Sequence, residues 1–416
     1  ESRFFRAFAY FDLLQKYGKV PLILKVLASN ASELTDAPAE REAILDAIYA
    51  DLDFAAANLP KPTTLGNAGY GRISNTAANA LKARVGLFEG TRAKFHQYGT
   101  PEKHLNIALN ASKAVMESNE HSLFANYFNL FQLAGEGRQN RENILVRQYG
   151  LNRDNAVIFY NGANILESTA LNSPTKSLAD SYLMKDGLPT DVSPLYVTPT
   201  TTLEVFANRD ERMGATMMKR GDANYRLDIP LFTIPNLSIQ RTGFTPRKFV
   251  NANDYAAART FIDMPIIRYA EVLLIFAEAS FELNGSISDA DLNKSINLLR
   301  ARAKIANLTN TFVTDNGLDM RNEIRRERRV ELAMEGQRYW DLIRWKTAEV
   351  ELKKAVLGNY LFDEFGTSIN VTLTPEHFIL VHPADKRSFR VDRDYLWPFP
   401  VQEVALNPNL AQNPNW

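Results

Sequence analysis

The sequence predicts a mainly α-helical fold: four helical hairpins stacked in series, with one large irregular region inserted between the second and the third. Three observations predict it. Apolar residues recur at helical spacing in two runs of segments, one from the start of the chain and one from Pro265. Between the runs, from about Glu120 to Met264, the helical period is lost and Gly, Pro, Asn and Thr punctuate the chain. Pro, Gly and Ser also stand where the periodic segments should start and stop.

Taken in order, Phe4, Phe8, Phe11 and Leu14 share one face of a first helix over residues 2–17, closed by Gly18 and Pro21. Pro38 opens a second helix, whose apolar positions Ile44, Ile48, Leu52, Ala55 and Leu59 keep the period as far as Pro60. A third starts near Ser74 and is rich in small residues (Ala77, Ala78, Ala80, Ala83, Gly86), which lets a neighbouring backbone come close. Pro101 begins a fourth with Leu105, Ala108, Ser112 and Val115 on one face. Residues 119–264 are expected to form a loop-rich subdomain with short strands and a short helix around Thr175 to Met184, since a structureless loop of that size is improbable in a compact domain. From Pro265, Ile267, Ala270, Leu274, Ala277 and Phe281 define a buried stripe that ends at Gly285. Ser288 or Asp289 caps the next helix, with Leu292, Ile296, Leu299 and Ala303 inside. A helix from Arg321 and a continuation from Gln337 to about Val356 complete the second set. The expected organisation is therefore two hairpins in 1–118, an irregular region in 119–264, two hairpins in 265–357 and an extended tail in 358–416. The tail's Trp397, Phe399 and Trp416 suggest that it wraps an aromatic groove.

Composition narrows the function. The chain has 416 residues, 45% hydrophobic, with 48 basic and 48 acidic side chains and no cysteine. The charge balance argues against a phosphate-binding footprint and so against nucleic acid. Without cysteine there is no disulfide, thiolate metal site or cysteine nucleophile. No stretch approaches the roughly 18 apolar residues of a membrane span. The five histidines are scattered and form no H-E-x-x-H; His377 and His382 are two ligands without a third. No G-x-S-x-G or Walker-type loop occurs. No metal and no cofactor are expected.

The stretch Arg321 to Trp345, RNEIRRERRVELAMEGQRYWDLIRW, combines dense charge with the anchors Ile324, Val330, Trp340 and Ile343. On a helix Glu327, Glu331 and Glu335 share a face, with Arg328 and Arg338 three residues from Glu331 and Glu335, while Arg325 needs a partner on another helix. We read these six residues as a structural ion-pair network. Arginine partners keep carboxylates ionised, which does not suit a general acid.

That stretch resembles a motif of the SusD/RagB family, as do FFRAFAYFDLLQKYGKVPLI (Phe4 to Ile23), SPTKSLADSYLMKDGLPT (Ser173 to Thr190), FANRDERM (Phe206 to Met213), TGFTPRKF (Thr242 to Phe249), MPIIRYAEVLLIFAEA (Met264 to Ala279) and the ending LWPFP…LNPNLAQNPNW. These motifs stand in the family's order along nearly the whole chain. The resemblance implies four tetratricopeptide-like helix pairs (an α-α superhelix) with an irregular ligand-facing part. It implies a non-catalytic, lipid-anchored protein on the extracellular face of the outer membrane, which captures glycan, or peptide in RagB-like members, and hands it to a SusC-like TonB-dependent transporter. It further implies an export signal, a lipidated cysteine and first helices ahead of Phe4, none of which this sequence contains. Part of the ligand surface of sugar-binding relatives comes from that region.

Sugars are held largely by aromatic faces, with polar groups fixing orientation. The four tryptophans, Trp340, Trp345, Trp397 and Trp416, lie in motifs read as structural, so a stacking platform in this chain must be Tyr or Phe. Tyr160, Tyr196, Tyr225 and Tyr255, in the inserted region, are the candidates, with Tyr70 more suited to plugging its own loop. Two other functions stay open on the residues alone. A glycoside hydrolase needs only two acids at the right separation, and a helical-repeat adaptor would bind protein through its concave face.

Overall fold

The computed structural model describes residues 1–150, 173–257, 260–366 and 370–416. The chain is mainly α-helical, and eight helices carry the scaffold: α1 (Ser2–Tyr17), α2 (Arg41–Asn58), α3 (Asn75–His96), α4 (Pro101–Glu117), α5 (Tyr269–Asn284), α6 (Ile296–Ala303), α7 (Met320–Glu331) and α8 (Arg338–Arg344). Each early helix packs on the next from α1 to α5. Helix α7 then lies on α5, and α8 returns to α3. No helix among the described residues is long and apolar enough to cross a membrane.

The first four helices follow their apolar period. Phe4, Ala7, Phe11 and Leu14 of α1 are buried, as are Ile44, Ile48, Leu52 and Ala55 of α2. Helix α2 begins at Arg41 and not at Pro38, because the Ala39 N–H donates to the Val20 carbonyl (3.0 Å) and holds that approach extended. Ser74 caps α3, its hydroxyl accepting from the Ala77 N–H. Helices α3 and α4 cross so closely that a Cβ on Gly86 would lie 2.7 Å from the Ala108 nitrogen, and one on Gly90 would lie 2.7 Å from the Leu105 side chain. Any larger residue at either position would force the pair apart.

The second half departs from its helical reading in three places. Met264–Arg268 is a strand, β2, paired antiparallel with β1 (Asn143–Arg147), so Ile267 is buried from a sheet and α5 starts only at Tyr269. The segment before α6 is broken at Ser295, whose non-helical backbone separates Asp289–Asn293 from α6; Ser288, not Asp289, caps Asp289–Asn293. The continuation to Val356 is interrupted twice. Met334 and Gly336 take positive φ between α7 and α8, and Val356–Tyr360 forms β3, antiparallel to β4 (Phe378–His382).

The turn after α7 decides how the ion pairs form. Glu331 does not meet Arg328. Its carboxylate accepts from Arg268 (2.6 Å) and Arg212 (2.8 Å) and also pairs with Arg302, groups brought from β2, the short helix Glu211–Thr216 and α6. Glu335 lies beyond the helical face and reaches Arg268 (2.8 Å) and Lys248 (2.7 Å) only because the backbone turns at Met334. Glu327 pairs with Arg212 (2.6 Å) and Arg300 (3.0 Å). Arg328 reaches forward to Asp341 (2.9 Å). Arg325 has Glu282 of α5 at 3.9 Å. Arg338 takes no ion pair among the described residues; its guanidinium stands 6.0 Å from the Trp345 ring centroid. The partners therefore come across elements and not from residues three apart. Burial alone would push the Glu331 carboxyl up, but the guanidinium groups of Arg302, Arg268 and Arg212 hold it well below the usual carboxylate range.

The tail lies against the start of the chain. The Trp397 N–H donates to the Lys16 carbonyl (2.7 Å), Trp397 stacks on Trp340 (6.1 Å between centroids), and Phe399 stacks on Tyr17 (4.9 Å).

One carboxyl at the seam between the insertion and β2 should respond to pH. Glu136 accepts from the Asp263 N–H (2.9 Å); burial first, and then the nearby Asp263 and Asp254, push it up to about 7 from an ordinary 4.5. A folded-state value above the unfolded one gives stability that is complete below about 4.5 and is lost as pH rises through 7. Glu136→Gln, which keeps an acceptor and cannot ionise, should therefore gain on the parent in urea midpoint between pH 5 and pH 8. An equal difference at both pH values would contradict this assignment.

Candidate functional site

A cleft of about 1120 Å³ opens where the inserted region, the start of α7 and the β3–β4 hairpin meet. Each wall has a local cause. The segment Pro189 to Thr200 supplies Asp191 and Tyr196. It is pinned at Ser193, whose hydroxyl donates to Asp186 (2.5 Å), and the Tyr196 N–H returns to the Ser193 carbonyl. Asp319 caps α7 by accepting from the Asn322 N–H (2.8 Å), so Asp319, Asn322, Glu323 and Arg326 project along one helical face into the cleft. Strand β3 presents Asn359 and Tyr360. It can do so because Gly358 lies directly on the Thr242 carbonyl, where a Cβ would sit 2.3 Å from the oxygen.

Tyr360 is 38% exposed, with Phe362 (5.2 Å between centroids), His377 (5.1 Å) and Phe378 (5.8 Å, edge-on) around it. Those neighbours fix the ring while part of it faces the cleft. Tyr196 is 40% exposed in the same space. The polar groups are of mixed kind. Arg326 donates to Glu323 (3.2 Å), and the second Glu323 oxygen stands 3.6 Å from Arg300. Burial pushes the Glu323 carboxyl up despite these cations. Exposed aromatic rings beside carboxylate, amide and guanidinium groups suit a hydroxyl-rich ligand with apolar C–H faces. Among the described residues no three His, Asp or Glu side chains are placed to hold a metal ion.

Of the tyrosines singled out from the sequence that the structure describes, Tyr196 lines this cleft and Tyr225 and Tyr255 do not. Tyr225 is 7% exposed and packs edge-on against Tyr255 (5.2 Å), in a cluster with Met218, Phe232 and Val250, so Tyr225 is corrected to packing within the insertion, with the half-buried Tyr255 against it. Tyr160 lies outside the described residues. Tyr360 is absent from the sequence candidates because a Pro- and Asn-rich tail reads as an extended wrap and not as a binding wall. The signal was there in GNYLF, residues 358–362, an aromatic pair behind a glycine. Trp345 is buried and donates to Glu278 (2.6 Å), and Trp340 packs under Trp397, so both serve the scaffold.

A profile of the SusD family matches residues 141–416. SusD-like protein P38 of Formosa agariphila is 26% identical over 99% of this chain and 73% of its own length. A SusD-like protein of Bacteroides ovatus is 25% identical over 83% of this chain and 58% of its own length. The crystal structure of a SusD-like carbohydrate binding protein from Bacteroides fragilis, 28% identical, superposes with a TM-score of 0.80 over 99% of this chain and 79% of that one. With its helical scaffold and more than half of its length matched, this chain is a member of the SusD family.

Proposed function

We propose that this protein is a non-catalytic, cell-surface glycan-binding protein that captures oligo- or polysaccharide in the Tyr196–Tyr360 cleft and delivers it to a SusC-like TonB-dependent transporter in the outer membrane. The observation that carries the reading is the pairing of two exposed tyrosine rings with Asp191, Asp319, Asn322 and Arg326 around one cleft of about 1120 Å³. The 28% identical relative is named a carbohydrate binding protein, which supports the same reading. In this proposal residues 119–264 are the ligand-facing part, held on helical pairs by the ion pairs of Glu327, Glu331 and Glu335. Attachment to the extracellular face by a lipid anchor belongs to the proposal through the family.

A glycoside hydrolase is the second reading, since burial raises the Glu323 carboxyl toward the protonated form that a general acid needs; it is less favoured because the 28% identical relative is named a carbohydrate binding protein. Electrophoresis through gels containing a panel of polysaccharides, together with a reducing-end assay on the same panel, tests the proposal. Retardation without release of reducing ends is expected. Turnover abolished by substitution of a single acid would replace it with the hydrolase. Retention of peptides with no glycan retained would make the protein a RagB-like peptide binder.

A further inference from the structure

A second cleft of about 820 Å³ adjoins the first, and Lys176, Asp180, Asn322 and Arg326 line both. Its chemistry differs. Helix α7 contributes Arg325 and Arg329, one turn apart, α8 contributes Arg338, and Lys354 and Arg387 close the far side. Among the described residues only two acids line it, and each already has a lysine: Asp180 with Lys176 (2.6 Å) and Glu351 with Lys354 (2.5 Å).

The arginines are left short of counter-charge. Arg329 donates to the Ser177 hydroxyl (2.8 Å), and neither it nor Arg338 has a carboxylate partner among the described residues. Arg325 lies over the Phe95 and Trp345 rings, with Glu282 no nearer than 3.9 Å and its Nε and one terminal nitrogen buried without a hydrogen-bond partner. Burial lowers all three, and Arg329 is brought down to about 10, first by burial and then by repulsion from Arg338. The contrast with the other face of α7 is sharp, since there each of Arg212, Arg268, Arg300 and Arg302 has a carboxylate at hand. In a chain with 48 basic and 48 acidic residues this local excess of cation is a property of the cleft and not of the composition. Guanidinium groups recognise carboxylate and sulfate oxygens through paired N–H donors, and partial desolvation strengthens that recognition.

We propose that this second cleft is a subsite for an anionic sugar, a uronate carboxylate or a sulfate ester, carried on the same glycan chain whose neutral units lie against Tyr196 and Tyr360. The inference rests on the glycan-binding reading and adds charge to it: the protein selects acidic polysaccharide. Arg329 and Arg338 grip the anion, and the residues common to both clefts make the groove continuous.

Two pairs of probes that differ in charge separate the sources of the anion: dextran against dextran sulfate, and highly methyl-esterified pectin against polygalacturonate. The wild-type protein should be held more strongly by the charged member of at least one pair, and that pair names the anion. Arg329→Gln/Arg338→Gln should weaken retention by the charged polymer about tenfold or more, the loss of charge-assisted bonds, and leave retention by neutral polymers in place. Because these guanidiniums repel one another and have no paired carboxylate among the described residues, the double variant should unfold at the same urea concentration as the parent or a higher one. A lower midpoint would make the arginines structural and overturn the subsite. Lys354→Gln, on the rim, gives an independent reading in which charged-polymer retention falls by a smaller factor, and no change there or in the double variant also overturns it. Equal retention of both members of each pair sinks the subsite and leaves the glycan reading standing. No retention of any polysaccharide sinks the glycan reading itself.

Discussion

Glu331→Ala is expected to destabilise the protein by about 3–5 kcal/mol, the usual cost of removing one partner from a buried ion pair, and to leave the glycan affinity of the folded protein unchanged. The carboxylate neutralises Arg212, Arg268 and Arg302, whose side chains are all but sealed from water. Its removal leaves three guanidiniums facing each other across a cavity. Its backbone carbonyl still accepts from the Tyr127 hydroxyl (2.7 Å) and from Arg268 (2.6 Å), so the end of α7 stays capped and the loss is specific to the side chain. Glu331→Gln keeps the volume and one acceptor, and should fall between alanine and wild type. Urea unfolding followed by circular dichroism, with gel retardation on the same preparations, measures both quantities. Unaltered unfolding accompanied by lost retention would move Glu331 from the scaffold to the binding surface.

Tyr196→Ala with Tyr360→Ala should lower glycan affinity about 30-fold or more, since truncating a central aromatic anchor typically removes about 2 kcal/mol. Stability should change little, because both rings are more than a third exposed. Tyr225→Ala is the counterpart. Its ring is enclosed by Tyr255, Met218, Phe232 and Val250, so it should cost about 3–5 kcal/mol of stability as a core cavity does, with affinity retained. The reverse pattern, in which Tyr225 governs affinity and the exposed pair does not, would move the site from the Tyr360 cleft to the interior of the insertion.

The two outcomes separate roles that look alike in the chain. Glu323 and Glu331 stand eight residues apart in one charged helix. Glu331 is surrounded by cations from three other elements, while Glu323 lines the cleft with Arg326 beside it. Arg328 and Arg329 are neighbours, yet Arg328 is held by Asp341 while Arg329, among the described residues, donates to a hydroxyl and has no carboxylate partner. Helix rotation assigns them to different faces. What waits on each face depends on segments far away in sequence.

What the sequence determined by itself was whatever local periodicity encodes: the helical scaffold, since Phe4, Phe11 and Leu14 or Ile44, Ile48 and Leu52 can be buried together only on a helix, and the close α3–α4 crossing written in Gly86 and Gly90. Its motifs also carried the family. What only the tertiary structure decided were the partners of charge and the use of each aromatic ring. Arg212 and Arg268 meet Glu331 across 119 and 63 residues of chain, and Tyr360 joins Tyr196 from a strand far along the sequence. Those pairings are set by how packed elements cross, and no short-range pattern of residues records a crossing.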